Sequence, residues 1–351
     1  MLLVFALAVM IWGLGRLMRW PAGMISALIG ILWLAVLVMQ LILPDGHGLR
    51  MATGESPVLW GLIGAAVIAV ALYARGLKWL KARAKAPQMA EATAGGPGLF
   101  SQTELNRYAR HIVLRELGGP GQKKLKQARV LVIGAGGLGS PVLLYLAAAG
   151  VGTIGVVDDD AVEGSNLQRQ VIHSDDKIGM AKVHSAAEAM RALNPFVEIR
   201  PYERRLSEEI ATELFAEYDV IVDGTDNFDT RYLVNRAAVA TSKPLISGAI
   251  TQWEGQLSVF DPGAGAPCYQ CVFPEAPADG LAPSCSEAGV VGPLPGVIGT
   301  MMALEAIKLI ADAGHVLRGE MLIYDGLWGE SRKIGVKRRA DCPVCGPVEV
   351  G

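Results

Sequence analysis

The chain has 351 residues, which leaves room for two domains or for one large domain with additions. The formal net charge is −2 at pH 7, so no global basic field indicates a nucleic-acid partner, and none is expected. Hydrophobic residues make up 51% of the chain, which is high for a soluble enzyme. The excess lies near the N-terminus, which indicates two regions of different character.

Three apolar stretches open the chain, and none of them carries a charged side chain. They are residues 2–15, 22–43 and 58–74. A bilayer core about 30 Å thick needs about 20 helical residues, so the second stretch is a strong candidate span and the third a good one. The first is short and could lie at the interface. We predict two to three transmembrane helices within residues 1–75; a cleaved signal peptide and buried soluble helices are the weaker alternatives.

Basic residues set the expected orientation of these helices. Arg16 and Arg19 separate the first two stretches, and four Lys or Arg residues follow the third within residues 78–85. The loop between the second and third stretches has one Arg and two acids. The positive-inside rule therefore predicts a multi-pass protein of the inner (cytoplasmic) membrane, with the C-terminal body in the cytoplasm.

The remainder of the chain predicts an α/β body. Residues 76–100 are rich in Ala, Gly, Pro and charge without an apolar stripe, and we expect a linker there before a body at 101–351. Strands are expected at 128–134, 152–158, 197–203, 219–226, 243–250 and 255–261, and helices at 101–117, 140–150, 181–195, 211–218 and 296–314. Ser101 and Glu104 form a capping-box pattern. The alternation predicts a Rossmann-like, mostly parallel sheet with flanking helices and with ligands at the carboxyl ends of its strands.

A glycine-rich turn follows the first of these strands. Gly134, Gly136, Gly137 and Gly139 allow a tight turn and a close approach of phosphate to the backbone, and a helix N-terminus follows. Asp158 ends the next strand, 24 residues after Gly134, where it can accept the ribose hydroxyls. The pattern indicates a nucleotide site without selecting the nucleotide, and a glycine turn used only for packing is the simpler alternative. An NAD-dependent oxidoreductase stays open at this point.

Basic and acidic residues further along favour a triphosphate. Asn166, Arg169 and Gln170 follow the ribose acid, and Lys182 comes soon after. Added Arg and Lys charges suit ATP better than a single pyrophosphate already held by a helix end. The segment DGTDN places Asp223 and Asp226 at the end of a later strand, where a carboxylate can hold Mg²⁺. Asp226 could instead cap the next helix, because TDN is also a good N-cap sequence.

The five cysteines fall into two pairs and a single residue. Cys268 and Cys271 form one CxxC pair, and Cys342 and Cys345 form another. Four thiolates in this pattern predict a closed, structural zinc site, with redox dithiols or plain buried thiols as alternatives. Disulfides are disfavoured in a cytoplasmic body. Cys285 lies in a Gly- and Pro-containing loop, where it is either a nucleophile or an ordinary loop residue.

Several of these motifs together resemble the MoeB/ThiF/HesA family, bacterial relatives of ubiquitin-activating enzymes. GAGGLG, SNLQRQ, Lys182, GTDN and EGQLSVF occur in order, NRYARHIVL resembles the family's opening helix, and the likeness covers about residues 101–349. The membrane segment has no counterpart. The resemblance implies adenylation by ATP of the C-terminal glycine of a small β-grasp sulfur carrier that ends in Gly-Gly. A non-catalytic membrane scaffold for such a partner is the remaining alternative.

The resemblance also implies roles for individual residues. Gly137, Asp158 and Asn227 would bind the nucleotide, while Asn166, Arg169 and Lys182 would contact phosphates and Asp226 would bind Mg²⁺. Arg110 would reach the partner's triphosphate in a homodimer, although it could also be a solvated helix residue. In some relatives a cysteine at the position of Cys285 links covalently to the carrier. We favour the small subunit of molybdopterin synthase as carrier, with the thiamine sulfur carrier next. No rhodanese domain follows Cys345, so a separate sulfur-donor protein is expected.

Overall fold

The structure is a computed structural model that describes residues 2–18, 20–54, 56–93, 98–277 and 288–346. The chain divides into two compact units, Met1–Gly98 and Leu99–Gly351. Cys285 lies outside the described residues.

The N-terminal unit is helical. Its helices are α1 (Leu2–Leu17), α2 (Ala22–Ile42), α3 (Gly48–Thr53) and α4 (Pro57–Thr93). Within the described residues of this unit, Gly23–Ile42 and Gly48–Leu77 are long and apolar enough to cross a membrane, whereas Leu3–Leu17 is a shorter apolar helix. Few residues of the two longer segments are buried. Their outward faces are therefore apolar, as lipid-facing helices are.

The predicted linker differs from what the structure shows. Helix α4 continues to Thr93, so most of residues 76–100 is helical. The segment is rich in Ala and Lys, which have high intrinsic helix propensity. An apolar stripe marks a helix that packs against a core. The absence of such a stripe therefore did not exclude a helix formed through intrinsic propensity.

The C-terminal unit alternates helices and strands. In chain order they are α5 (Gln102–Arg107), α6 (Ala109–Ile112), α7 (Gly118–Gln127), β1 (Arg129–Ile133), α8 (Gly139–Ala149), β2 (Thr153–Asp158), α9 (Lys182–Leu193), β3 (Glu198–Glu203), α10 (Glu208–Ala216), β4 (Val220–Asp223), α11 (Phe228–Ala240), β5 (Leu245–Thr251), β6 (Glu254–Phe260), α12 (Tyr269–Val272), α13 (Pro293–Ala311), β7 (Glu320–Asp325) and β8 (Glu330–Gly335).

One eight-stranded sheet organises this unit, in the order β3-β2-β1-β4-β5-β6-β7-β8. The first five strands of this order are parallel, and β6, β7 and β8 extend the sheet by antiparallel pairing. The predicted α/β class with a mostly parallel sheet is confirmed. Strand β1 pairs with both β2 and β4, so the order of strand addition reverses there. In such sheets the crevice at this reversal is where ligands bind.

Helices cover both faces of the sheet. Val130 and Val132 of β1 face a core built with α8, α9 and α13, while Leu131 and Ile133 face a second core built with α10 and α11. This alternation follows from the two-residue period of a strand. Burial of both faces explains why RVLVI reads as a continuous apolar run.

A third helix of the described chain, Pro293–Ala311, is also long and apolar enough to span a membrane. This is α13, and half of it is buried. Ile298 and Met302 lie in the first core, and a Cβ on Gly248 of β5 would come within 2.4 Å of the Met302 sulfur. Its apolar character is thus accounted for by packing on the sheet.

The predicted helix at 101–117 is interrupted. The capping box is confirmed, since Ser101 Oγ accepts from Glu104 N at 3.2 Å and Ser101 N donates to Glu104 Oε2 at 2.9 Å. The helix then breaks at Tyr108, whose side chain is buried against Gly150 and accepts from Asn194 Nδ2 at 2.8 Å. Tertiary burial of this ring overrides the local helical pattern. No prediction covers α7, α11, β7 or β8.

Candidate active site

The glycine turn joins β1 to α8 at the reversal point of the sheet. Gly134 has a φ of +94°, a conformation that glycine adopts readily. A Cβ on Gly139 would lie 1.9 Å from the carbonyl oxygen of Gly134, so no other residue fits there. The N–H groups of Gly136 and Gly137 have no hydrogen-bond partner among the described residues. Together with the N-terminus of α8, they form a site suited to phosphate.

Asp158 ends β2 directly beside this turn. Its two carboxylate oxygens accept hydrogen bonds from the backbone, from Ala135 N at 2.7 Å and from Asp160 N at 2.9 Å. Burial raises the pKa of Asp158, although these N–H groups and the charge of Lys182 oppose the shift. Each carboxylate oxygen retains a second acceptor site for a ligand hydroxyl. Asp158 therefore shapes the glycine turn as well as being available to a ribose.

His173 also holds the glycine turn, through a hydrogen bond to its backbone, and sequence reasoning missed this residue. Its Nε2 lies 2.9 Å from Ala135 O, and its Nδ1 lies 2.9 Å from Ser185 Oγ. A carbonyl can only accept, so Nε2 carries the hydrogen. Burial lowers the pKa of His173, and the charge of Lys182 adds to that shift. The Ala135 peptide is thus held at its N–H by Asp158 and at its carbonyl by a neutral imidazole.

Lys182 and Arg169 bring positive charge to the cavity. The Lys182 side chain is buried, and its Nζ lies 2.6 Å from Oδ2 of the largely exposed Asp160. Arg169 Nη2 donates to Asn166 Oδ1 at 2.9 Å. Asn166 does not line the cavity and instead holds Arg169. Both cations are paired with groups that a phosphate could replace.

Asp223 at the end of β4, and Asp226 and Asn227 in the loop that follows, have different roles. Asp223 is buried and accepts from Thr225 N at 3.0 Å, Thr225 Oγ1 at 2.6 Å and Ser247 Oγ at 3.1 Å. It is a structural residue. Asn227 caps α11 by accepting from Thr230 N at 2.9 Å. Asp226 is exposed on the rim of the cavity.

The TDN sequence left open whether Asp226 caps α11, and the structure answers this. Because Asn227 fills the cap position, Asp226 is not the helix cap. Its carboxylate has no hydrogen bond or ion pair with any described residue. An exposed carboxylate at this edge suits Mg²⁺, which commonly takes one or two protein carboxylates together with phosphate oxygens.

Arg231 lines the cavity, and sequence reasoning missed it as well. It is buried, donates to Ser247 Oγ at 3.2 Å and to Thr225 O, and lies 3.6 Å from Asp223. Its sequence signal is its position: Arg231 lies one turn after Asn227, the cap of α11, and α11 follows a strand. The exposed Arg204 and Arg205, after β3, also line the cavity.

These groups surround one cavity of about 840 Å³. It is lined by the glycine turn, by the ends of β2 and β4, and on the other side by Ile250, Glu254 and Gln256 of β5 and β6. The volume lies in the range of small-molecule sites. Arg110 is exposed on α6 and does not line this cavity. The structure thus brings Asp158, Arg169, Lys182 and Asp226 together and leaves Arg110 outside.

The four paired cysteines meet in a second site. Cys268, Cys271, Cys342 and Cys345 are buried, and their sulfur atoms all lie within 4.8 Å of one another. The shortest separations are 3.3 Å, 3.6 Å and 3.8 Å, too long for a disulfide. A tetrahedral zinc ion with Zn–S bonds of about 2.3 Å would space sulfurs about 3.8 Å apart. Arg339 N and Asn235 Nδ2 also donate to these sulfurs. The cluster can hold zinc.

Comparison with known proteins identifies the family. Residues 108–344 match the ThiF family. This range covers about two thirds of the chain, and the protein belongs to the ThiF family. The predicted resemblance is therefore confirmed for the body, and the N-terminal helices are an addition to it.

Named relatives narrow the class. A sulfur carrier protein adenylyltransferase of Thermus thermophilus is 50% identical over 251 residues, which cover 70% of this chain and 93% of that protein. The SAMP-activating enzyme E1 of Haloferax volcanii is 49% identical over 244 residues, or 70% of this chain and 90% of that protein. MoeZ of Mycobacterium tuberculosis, a probable adenylyltransferase/sulfurtransferase, is 50% identical over 247 residues but is covered over only 63% of its length. The predicted enzyme class, an adenylyltransferase, is confirmed.

Solved structures agree with the fold. Escherichia coli MccB with ATP has a TM-score of 0.60 at 24% identity, covering 69% of this chain and 75% of that chain. PaaA has a TM-score of 0.62 at 22% identity, covering 76% and 83%. At these identities the likeness establishes the architecture of the sheet and its flanking helices.

Proposed function

We propose that the protein uses ATP to adenylate the C-terminal glycine of a small β-grasp sulfur carrier ending in Gly-Gly. The observation that carries the proposal is the single cavity that unites free glycine amides, Arg169, Lys182 and the Asp226 carboxylate. An anion-binding turn with two cations and a free carboxylate suits a metal-bound triphosphate. The Thermus thermophilus relative, named for adenylating a sulfur carrier, supports the substrate class.

Nucleotide binding follows from the contacts in the cavity. The amides of Gly136 and Gly137 donate to phosphate oxygens, and Asp158 accepts from the ribose. Lys182 exchanges Asp160 for a phosphate oxygen, which keeps its buried ammonium paired throughout. Arg169 turns from Asn166 towards the phosphate chain. Asp226 would hold Mg²⁺, which neutralises phosphate charge when bound.

The reaction is an in-line displacement at the α-phosphorus of ATP. A carboxylate oxygen of the carrier's terminal glycine attacks, a new P–O bond forms, and the bond to the bridging oxygen of the β-phosphate breaks. Pyrophosphate leaves with the electron pair, and the product is an acyl-adenylate. The carboxylate is already ionised at neutral pH, so no base is needed, and the residues act by positioning and neutralising charge. A separate sulfur-donor protein would then supply the sulfur.

The carrier and its pathway are part of the proposal. We favour the small subunit of molybdopterin synthase, because HSDDKIGMAKV resembles that branch of the family, and the thiamine sulfur carrier is next. Exchange of labelled pyrophosphate into ATP, with each purified carrier in turn, tests the function. The expected result is exchange with one carrier that is lost when its terminal glycine is removed. Absence of exchange with every Gly-Gly carrier would overturn the proposal.

Two variants and a control sharpen that assay. Arg169→Ala and Asp226→Ala should each reduce exchange by about 10²-fold, as loss of a transition-state contact does. Asp229→Ala is the control. It removes an exposed acid from the first turn of α11, near Asp226 but outside the cavity, and should leave exchange unchanged. Parallel titrations with ATP and NADH exclude the oxidoreductase alternative if only ATP binds.

We propose further that the catalytic unit is a homodimer in which Arg110 serves the partner's cavity. Its exposed position on α6, away from its own cavity, suits a role in trans. Mixing inactive Arg110→Ala and Asp226→Ala subunits tests this. A heterodimer would contain one intact site, so about a quarter of wild-type activity should return. No recovery after verified subunit exchange would place Arg110 in cis or outside the reaction.

The N-terminal helices would anchor the enzyme in the inner membrane, with the body in the cytoplasm. Support comes from the apolar Gly23–Ile42 and Gly48–Leu77 segments and from the basic residues that flank them. In spheroplasts, protease should spare the body until the membrane is permeabilised. Cleavage of the body in intact spheroplasts would contradict this orientation.

We propose zinc for the Cys₄ cluster and a covalent role for Cys285. Zinc would tie α12 to the segment after β8, which brings together cysteines more than 70 residues apart. Cys285 would attack the acyl-adenylate as a thiolate, releasing AMP and forming a thioester with the carrier. A hydroxylamine-labile adduct that is absent from Cys285→Ser tests this step, whereas pyrophosphate exchange should survive that substitution.

A further inference from the structure

Gln170 is a buried polar side chain on the wall of the active-site cavity. It is 5% exposed, and its Oε1 has no hydrogen-bond partner among the described residues. An unsatisfied buried polar atom costs free energy and calls for an explanation. A residue retained here only for packing would be better as an apolar side chain of the same shape.

The other end of this amide lies beside the glycine turn. Gln170 Nε2 is 3.6 Å from the position that a Cβ on Gly136 would take. The N–H of Gly136 is one of the two free turn amides described above. The side-chain donor and the free backbone donor therefore lie at the same place on the cavity wall.

The backbone around Gln170 is held firmly in that place. Gln170 N donates to Asn166 O at 3.0 Å, and Gln170 O accepts from His173 N at 3.1 Å. His173 in turn bonds to Ala135 O in the glycine turn at 2.9 Å. The segment from 170 to 173 is thus tied to the turn at one end, while the Gln170 carboxamide makes no hydrogen bond to a described residue.

We propose that Gln170 is a nucleotide-binding residue whose side-chain N–H donates to the phosphate chain of ATP next to the Gly136 amide. This rests on the proposed function, since it assumes that the cavity binds ATP. A neutral donor orients the phosphate chain through a directional hydrogen bond without adding charge. Arg169 and Lys182 supply the positive charge. The unsatisfied Oε1 is then the cost of keeping a donor at this point of a closely packed wall.

Gln170→Met separates this role from a structural one. Methionine has a similar length and shape but no donor and only a weakly accepting sulfur, so it also removes the buried unsatisfied oxygen. The ligand-free variant should melt at the same temperature as wild type or higher. Its dissociation constant for ATP should nevertheless rise about tenfold, as loss of one phosphate hydrogen bond predicts. A structural role would give the opposite pattern, a lower melting temperature with unchanged ATP affinity.

A second variant and a matched control complete the test. Gln170→Glu keeps the shape and places an anion against the phosphates, so it should weaken ATP binding more than Gln170→Met while leaving adenosine binding unchanged. Gln168→Met makes the same replacement two residues away, at an exposed position outside the cavity, and should match wild type. ATP affinity in both Gln170 variants equal to wild type would overturn the inference.

The outcome is distinguishable from failure of the proposed function. If wild type binds ATP but exchanges pyrophosphate with no carrier, the carrier proposal fails while the titrations still decide the role of Gln170. If exchange occurs normally and the Gln170 variants bind ATP as wild type does, only the inference about Gln170 fails. If wild type does not bind ATP, both are overturned.

Discussion

At the scale of single residues, Asp158 holds the glycine turn in place, and we propose that it also accepts a hydrogen bond from the ribose. The sequence places it as the acid that accepts a ribose, and the structure adds hydrogen bonds to Ala135 N and Asp160 N. The same carboxylate therefore fixes the glycine turn whose free amides are the proposed phosphate ligands. One substitution is expected to disturb both halves of the nucleotide site.

Asp158→Asn should weaken ATP binding by about tenfold or more, because an amide nitrogen replaces one of the acceptors. It should also change how stability depends on pH. Burial raises the folded-state pKa of Asp158 above the unfolded value, so the folded protein retains this proton to higher pH. Ionising the buried carboxyl then costs stability as pH rises through the window between those two pKa values.

Urea unfolding of both proteins at several pH values measures this effect. The free energy of unfolding of wild type, minus that of Asp158→Asn, should fall as pH rises from the ordinary aspartate pKa of about 3.9 through the raised folded-state pKa. Asp159→Asn, at the exposed neighbouring position, provides the matched control. A difference that does not vary with pH for Asp158→Asn would contradict the prediction.

At the scale of elements, the β1–α8 turn depends on individual glycines to different degrees. Gly139→Ala should destabilise the body by several kcal/mol, because its Cβ would meet the backbone oxygen of Gly134 at 1.9 Å and neither strand nor helix can shift easily. Gly136→Ala is the matched control. Its Cβ would meet only Gln170 Nε2, at an ordinary 3.6 Å, so its stability should stay within about 1 kcal/mol of wild type. Thermal unfolding of both variants measures their stabilities. Equal losses of stability in the two variants would contradict the prediction.

The cysteine cluster joins two elements that are distant in sequence. Metal analysis of the purified protein should give about one zinc per chain, since four thiolates complete one tetrahedral site. Cys342→Ser should lose the zinc and lower the melting temperature, because the segment after β8 is then released from α12. Cys285→Ser should retain zinc and stability. Loss of zinc from Cys285→Ser, or full zinc in Cys342→Ser, would contradict the assigned ligand set.

At the scale of the whole molecule, the chain divides into two units, and we propose that the first anchors the protein while the second carries out the chemistry. The body, Leu99–Gly351, contains the whole sheet and both of its cores. Residues 99–351 produced alone should be soluble and bind ATP with the affinity of the full chain, while the full chain should require detergent for extraction. Equilibrium titration of both forms measures this. Aggregation of the shorter form, or loss of its ATP binding, would show that the N-terminal unit contributes to the fold of the body.

Much of the architecture could be predicted from local sequence. The strands around RVLVI and TIGVVD have continuous apolar runs because both faces of the sheet are covered. The predicted helix at 101–117 failed at Tyr108, whose burial against Gly150 is a contact with a distant part of the chain. Strand β8 was missed because it is an exposed edge strand without an apolar pattern.

By itself, the sequence determined the class of fold, the glycine turn with Asp158 at the end of the next strand, the two cysteine pairs and the apolar N-terminal segments. Each of these depends on residue types at short, fixed spacings. Only the tertiary structure decided that Asn227 rather than Asp226 caps α11 and that Asp223 is held in a buried network. It also decided that Arg231 and Gln170 line the cavity and that His173 holds the glycine turn. The physical reason is that hydrogen bonds and burial are set by groups distant in sequence, and no local pattern records which donor and acceptor will meet.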